Sequence, residues 1–197
     1  MREVEVKAVV DDWDALRRRL LDAGATLAFS GRLEDRRYDS ADRSMKERDE
    51  LLRVRVLRHS AGARAELGWK GPTTYQDGYK VREEIQTSAG DPDALIRIVE
   101  RLGFVLVKQI DRFIEQFELH GATIRLERYP RMDDLVEVEG IPDAIENAVG
   151  ALGMPRQAFT SERLPAFVER FERRTGERAA LCDGELSGSV TYSHDDA

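Results

Sequence analysis

The sequence predicts an α+β protein: a closed or nearly closed antiparallel β barrel of about eight strands, helices on its outside and charges in its lumen. Three observations lead there. Several segments alternate between aliphatic and charged residues, the period of a strand whose two faces meet different surroundings. Amphipathic helical segments lie between them, with apolar stripes that need a surface to cover. An internal echo points to two related halves: the first strand, its helix and Gly24 recur as Val81–Gln86, its helix and Gly103, and Asp35-Arg36 recurs as Asp111-Arg112.

Taken in order, Arg2–Val10 places Glu3, Glu5 and Lys7 on one face and Val4, Val6 and Ala8 on the other. Carboxylates two residues apart on a strand lie about 6.5–7 Å from each other, near enough to share a divalent cation. Asp11 and Asp12 offer N-caps to a helix striped by Trp13, Leu16 and Leu20 and stopped at Gly24. Extended chain follows over Thr26–Ser40, bending near Gly31, and Ser40–Glu50 reads as a polar loop without a core pattern. In Leu51–Arg58, Arg53 and Arg55 oppose Leu52, Val54 and Val56; Ala63–Lys70 returns as a hairpin, and Pro72–Gly78 is a second loop. Tyr79–Thr87 carries Lys80, Arg82, Glu84 and Gln86 on one face. A helix capped by Asp91 runs to Gly103, striped by Leu95, Ile98, Val99 and Leu102. Then come a strand region over Val105–Leu119, a His120-Gly121 turn and a strand over Thr123–Tyr129. Leu135–Gly140 sets Glu137 and Glu139 against Val136 and Val138. Helices are expected from Pro142 to near Gly153 and from Leu164-Pro165 to Thr175. Beyond Glu177 the chain is small and polar without periodicity, so a domain over residues 1–176 and a poorly ordered tail over 177–197 are expected.

The helices must cover the aliphatic strand faces, which leaves the charged faces to meet across the lumen. Such a lumen cannot be dry, because an unpaired buried ion costs several kcal/mol. It pairs its charges internally or holds water, metal ions and an anionic ligand. Carboxylates hold hard divalent cations, and Arg and Lys cradle phosphate oxygens.

Composition narrows the setting. The 197 residues carry a formal net charge of −7, which argues against duplex nucleic acid as partner. No apolar run approaches the ~20 residues of a membrane span, no signal peptide precedes the first strand, and Cys182 alone cannot build a disulfide framework. A cytoplasmic protein is expected. His59, His120 and His194 lack ligand spacing.

Glu3-x-Glu5-x-Lys7 resembles the ExExK signature of the CYTH domain, the triphosphate tunnel metalloenzymes. The likeness continues in Leu52-Arg53-Val54-Arg55, Trp69-Lys70-Gly71-Pro72, Lys80-x-Arg82-x-Glu84 and Val136-Glu137-Val138-Glu139-Gly140, and covers about residues 1–175 in family order. The resemblance implies an eight-stranded tunnel flanked by helices, magnesium or manganese as cofactor, and a small-molecule triphosphate such as ATP or inorganic triphosphate as substrate. Carried over, Glu3, Glu5, Lys7 and Lys70 are catalytic; Lys7, Arg53, Arg55, Lys70, Lys80, Arg82, Arg112 and Arg125 hold the triphosphate; and Glu3, Glu5, Glu84, Glu127, Glu137 and Glu139 face metal. Two positions depart from the family pattern. Glu127 stands where Asp is common, and Arg112 is followed by Ile114 where a Lys-x-Arg pair is usual, leaving Lys108 or Arg125 to replace the missing charge. The implied activity is that of a class IV adenylyl cyclase. The alternatives are an inorganic or organic triphosphatase, thiamine triphosphate included, and a noncatalytic polyphosphate- or nucleotide-binding module. Free strand edges would allow a homodimer.

Overall fold

The computed structural model describes residues 2–76 and 79–193. The side chains of Arg2, Glu3, Tyr79 and Lys80 and the residues from His194 onward lie outside those described, so the expectations for Glu3, Lys80 and His194 are not addressed by it.

The alternating segments form β1 (Arg2–Val9), β2 (Thr26–Asp39), β3 (Leu51–His59), β4 (Gly62–Lys70), β6 (Tyr79–Ala89), β7 (Val105–Leu119), β8 (Ala122–Arg128) and β9 (Leu135–Glu139). Their order is β1-β9-β8-β7-β2-β3-β4-β6, and β6 pairs back onto β1, with Val4 opposite Val81. Every pairing is antiparallel, so the sheet closes into an eight-stranded barrel. A further strand, β5 (Thr74–Gln76), falls inside the expected Pro72–Gly78 loop. It pairs with the start of β6 on the edge that β4 uses further along, so it prolongs β4 past Gly71-Pro72 without widening the barrel. Two local features set the curvature. A Cβ on Gly31 would lie 2.2 Å from the Arg58 carbonyl oxygen, so only glycine lets β2 bend this close to β3. His120 and Gly121, both at positive φ, make the two-residue hairpin turn between β7 and β8.

The aliphatic faces point outward under helices, as the alternation requires. Helices α1 (Trp13–Asp22) and α4 (Pro142–Leu152) pack on Val6, Ile124, Leu126, Val136 and Val138. Asp12 caps α1 by accepting from the Ala15 amide at 2.9 Å, and Asp91 caps α3 (Pro92–Arg101) by accepting from Ala94 at 2.9 Å. Val99 of α3 packs with Tyr38, Val54 and Val56. Helix α5 (Leu164–Thr175) does something different. Its Leu164, Phe167, Val168 and Phe171 pack on Ile110, Tyr129 and Leu135, which share the inward parity of Arg112, Glu127 and Glu137. It therefore covers one end of the barrel. No helix of the described residues is long and apolar enough to cross a membrane.

Two expectations are corrected. The Ser40–Glu50 loop contains a helical turn, α2 (Ser44–Glu47), anchored because Asp39 accepts from the Met45 and Lys46 amides at 3.1 Å each and Met45 is buried. The tail is not loose through residue 193. Ala180 exchanges backbone hydrogen bonds with Arg131, the Leu181 carbonyl accepts from the Asp111 amide at 2.7 Å, and a short helix, α6 (Asp183–Ser187), follows. Ala179–Cys182 are apolar and fully buried, too short a run to show a period. Glu185 meets the buried Lys108 ammonium at 3.2 Å, an interaction 77 residues away in sequence.

Removing the acid from that buried pair would strand Lys108 without its counter-charge. Glu185→Ala should lower the unfolding free energy by about 3 kcal/mol, read by urea denaturation. A loss below about 0.5 kcal/mol would show that the tail is not held by this pair.

Candidate functional site

The lumen opens into a cavity of about 280 Å³ lined by Glu5, Lys7, Asp35, Arg37, Arg53, Arg55, Lys70, Arg82, Arg112, Glu127, Tyr129 and Glu137. A second cavity of about 200 Å³ is lined by Glu66, Glu84, Gln86, Gln116, Thr123, Arg125 and Glu139. Arg53 and Arg55 line both, which makes them the waist of the barrel interior. Each position follows from strand parity: Arg53 lies opposite Arg37, Arg55 opposite Asp35, Lys7 opposite Glu137, and Arg125 opposite the same Glu137.

The wall formed by β1, β8 and β9 is acidic and tightly paired. Lys7 Nζ lies 2.6 Å from Glu137 and 2.9 Å from Glu5. Glu137 is also held by Arg125, and Glu127 accepts from Arg112 Nε at 2.9 Å and from the Tyr129 hydroxyl at 2.6 Å. Burial pushes the Glu137 carboxyl up, but Lys7 and Arg125 outweigh it and hold the group well below the usual range. Burial likewise pulls down Lys7, Arg112 and Arg125, yet their acid neighbours raise all three above their ordinary values. These cations and acids hold one another in their charged forms.

The wall formed by β2 and β3 is the reverse. Burial and neighbouring Arg53 pull Arg55 down to about 10, and burial with Arg53 and Arg112 lowers Arg37. Against burial, Arg37, Arg53 and Arg55 hold Asp35 well below the carboxylate range. Arginines outnumber the acids on these two strands, and the lowered Asp35 reflects those cations around it. Gly68 leaves room here: a Cβ would come within 3.4 Å of Arg53 Nε. Glu84 completes this side, 2.7 Å from Arg53 and 3.6 Å from Lys70.

Of the residues expected from sequence, Glu5, Lys7, Arg53, Arg55, Lys70, Arg82, Arg112, Glu127 and Glu137 share the larger cavity. Glu84, Arg125 and Glu139 stand at the smaller one, so the five described glutamates of the expected set divide between two cavities. Among the described residues no three acids or other ligating side chains are grouped as a metal cluster. The donors that suit a hard divalent cation are Glu5, Glu127 and Glu137, oxygen ligands on the negative wall, where the Lys7 ammonium already lies between two of them. Of the two substitutes for the missing β7 charge, Arg125 is in the lumen, while Lys108 is engaged by Glu185. Arg82 binds loops as well as lining the cavity, donating to the Gly71 carbonyl at 2.6 Å and the Asp49 carbonyl at 2.7 Å.

Sequence reading missed Asp35, Arg37 and Tyr129, and a mouth made by Arg43, Lys46, Asp49, Glu50 and Arg163. The first two were visible as the alternation Leu33-x-Asp35-x-Arg37, obscured because Asp35-Arg36 was matched to Asp111-Arg112. That echo is out of phase. Asp35 and Arg112 face inward, whereas Asp111 lies opposite Glu34 on the outer face and pairs with Arg32. A one-residue slip reverses a strand's faces.

The CYTH domain family model matches residues 1–145. The chain belongs to the CYTH domain family. The CYTH chain is 25% identical over 166 residues to a Methanocaldococcus jannaschii protein named "Putative adenylate cyclase", spanning 79% of this chain and 92% of that one. Among solved structures, a Vibrio parahaemolyticus protein titled as a "putative adenylate cyclase" superposes with a TM-score of 0.72 at 15% identity, covering 85% of this chain and 97% of that one. A Hippeastrum "putative adenylyl cyclase", whose title reports a dominant triphosphatase activity, gives a TM-score of 0.59 at 14% identity, covering 91% and 98%. These two structures share the CYTH fold with this chain.

The depressed carboxylates make a pH prediction. A group with its folded pKa lowered stabilises the fold above its unfolded pKa and loses that contribution as pH falls toward the folded value. Wild-type stability should therefore decline as pH drops below about 4, and Glu137→Gln should show a flatter decline over the same range. Equal slopes for the two proteins in acid-dependent urea unfolding would contradict the Glu137 pairing.

Proposed function

We propose that the protein is a metal-dependent enzyme acting on a triphosphate, of the class IV adenylyl cyclase type, converting ATP to cyclic AMP and pyrophosphate. One observation carries the ligand class: the arginines of the β2–β3 wall and the glutamates of the β1–β8–β9 wall line one cavity. A polyanion suits the first wall and a divalent cation the second, and a metal–triphosphate complex needs both. Leu51, Val107 and Leu164 add an apolar edge to the same cavity, a place for a nucleobase that inorganic triphosphate would not use. Membership of the CYTH family and the name of the Methanocaldococcus relative agree with this reading.

In this mechanism Arg37, Arg53, Arg55, Lys70 and Arg82 bind and orient the phosphates. Magnesium or manganese, held by Glu5, Glu127 and Glu137, would neutralise phosphate charge and lower the pKa of the attacking hydroxyl. Lys7, on the same cavity, would donate to a phosphate oxygen. The ribose 3′-oxygen bonds to the α-phosphorus as the bond to the α,β-bridging oxygen breaks. Pyrophosphate leaves with that electron pair, and the arginines offset its charge. The hydroxyl proton passes to water at the acidic wall.

Hydrolysis is the second reading, with water in place of the ribose hydroxyl and the same side chains in the same roles. The Hippeastrum title, which reports triphosphatase activity on this fold, is the reason to keep it. Incubation with ATP, and separately with inorganic triphosphate, in Mg²⁺ or Mn²⁺ separates the two. Cyclic AMP with pyrophosphate is expected; orthophosphate from either substrate would establish the hydrolase instead. Glu5→Ala should cut turnover by about 100-fold or more and leave the melting temperature nearly unchanged, since Lys7 keeps Glu137. Full activity in that variant would remove Glu5 from the site.

A further inference from the structure

Asp35 differs from the other acids of the barrel wall. It is 1% exposed and lines the larger cavity, yet neither carboxylate oxygen accepts a hydrogen bond. Arg55 Nε lies 3.6 Å from Oδ2, an ion pair beyond hydrogen-bonding range. Glu127 and Glu137, by contrast, each accept from two donors. Chain length explains the difference. Aspartate is one methylene shorter than glutamate, so a carboxylate fixed on β2 stops short of guanidinium groups that reach inward from β3. Arg53 Nε and Arg55 Nε are themselves buried without acceptors. A buried carboxylate kept for structure alone normally accepts two or more hydrogen bonds. Asp35 instead supplies charge without closing the contacts, which leaves the Nε–H groups of Arg53 and Arg55 available to another acceptor.

We infer that Asp35 is a built-in counter-ion that limits how tightly the arginine cluster of the lumen holds a polyphosphate. The inference rests on the proposed triphosphate reading. Arginines with no acid among them would hold substrate and pyrophosphate alike, and tight uniform binding slows release without speeding chemistry. A single charge placed among them, but not hydrogen-bonded to them, lowers affinity for both anions and leaves the arginine geometry free for phosphate oxygens. Asp35 is thus a positioning and affinity-setting residue with no part in bond making.

The test is calorimetric titration of inorganic triphosphate into purified protein in EDTA, with pyrophosphate as a second titrant. Asp35→Asn removes the charge at constant shape and should bind both anions about tenfold or more tightly than wild type. With ATP and metal it should show stronger inhibition by pyrophosphate and a lower kcat. Asp35→Glu reaches the arginines and should bind triphosphate more weakly than wild type; it tests the inference even where the Asn variant does not fold. Unchanged or weaker binding by folded Asp35→Asn, or tighter binding by Asp35→Glu, would overturn the inference. So would a variant that loses affinity only when Mg²⁺ is present, which would make Asp35 a metal ligand. Failure of the wild type to bind triphosphate at all would instead remove the proposed function.

Discussion

The structure depends on one constraint: charges turned into a barrel lumen must be balanced or given a ligand. Eight strands leave their aliphatic faces to the helices, so the inner faces inherit Arg and Glu whether or not these pair well. On the β1–β8–β9 wall they do. Lys7, Arg112 and Arg125 meet Glu5, Glu127 and Glu137 at hydrogen-bonding distance, and the desolvation of each ion is offset locally. On the β2–β3 wall the pairing is less complete: Arg53 donates to Glu84, but Asp35 stands beside Arg53 and Arg55 without accepting a hydrogen bond. The imbalance centres on Arg53 and Arg55, which line both cavities, and that is where an anion is most strongly favoured.

Interactions from outside the barrel wall fix the shape of that cavity. Arg163, ahead of α5, donates to Asp49 at 3.0 Å and to the Thr73 hydroxyl at 2.6 Å, while Arg82 donates to the Asp49 carbonyl. Three segments distant in sequence, before β3, after β4 and before α5, therefore meet at the mouth. The segment before α5 also bridges to β1 through paired antiparallel backbone hydrogen bonds between Lys7 and Thr160. The strand bearing Lys7 and the helix that covers the barrel end are thus joined directly. Substrate access and lumen geometry share the same few contacts.

Much of this was legible in the sequence because strand parity is rigid. Once Val54 and Val138 are assigned to the core, Arg53, Arg55, Glu137 and Glu139 have only the lumen to face. The caps at Asp12 and Asp91 were readable for a similar reason, since each places one carboxylate at a helix start. Other features depend on distance through space. Glu185 matters only because Lys108 is buried beneath it, and nothing near residue 185 in the chain signals that. Arg163 reaches the mouth only because Asp49 and Thr73 are carried there by β3 and β4. Asp35 was hidden differently: the echo with Asp111 was real in sequence and wrong in phase by one residue.

The central claim is that the lumen is a built polyphosphate site whose arginine-rich wall is only partly neutralised by its own acids. Its most direct test is the stability of the wild-type protein as inorganic triphosphate is added at constant ionic strength. A ligand that binds only the folded state raises the unfolding free energy by about 1.4 kcal/mol for each tenfold increase above its Kd. That logarithmic rise is predicted for triphosphate, with sulfate at matched ionic strength giving little. A flat response, or the same rise with both anions, would contradict the account.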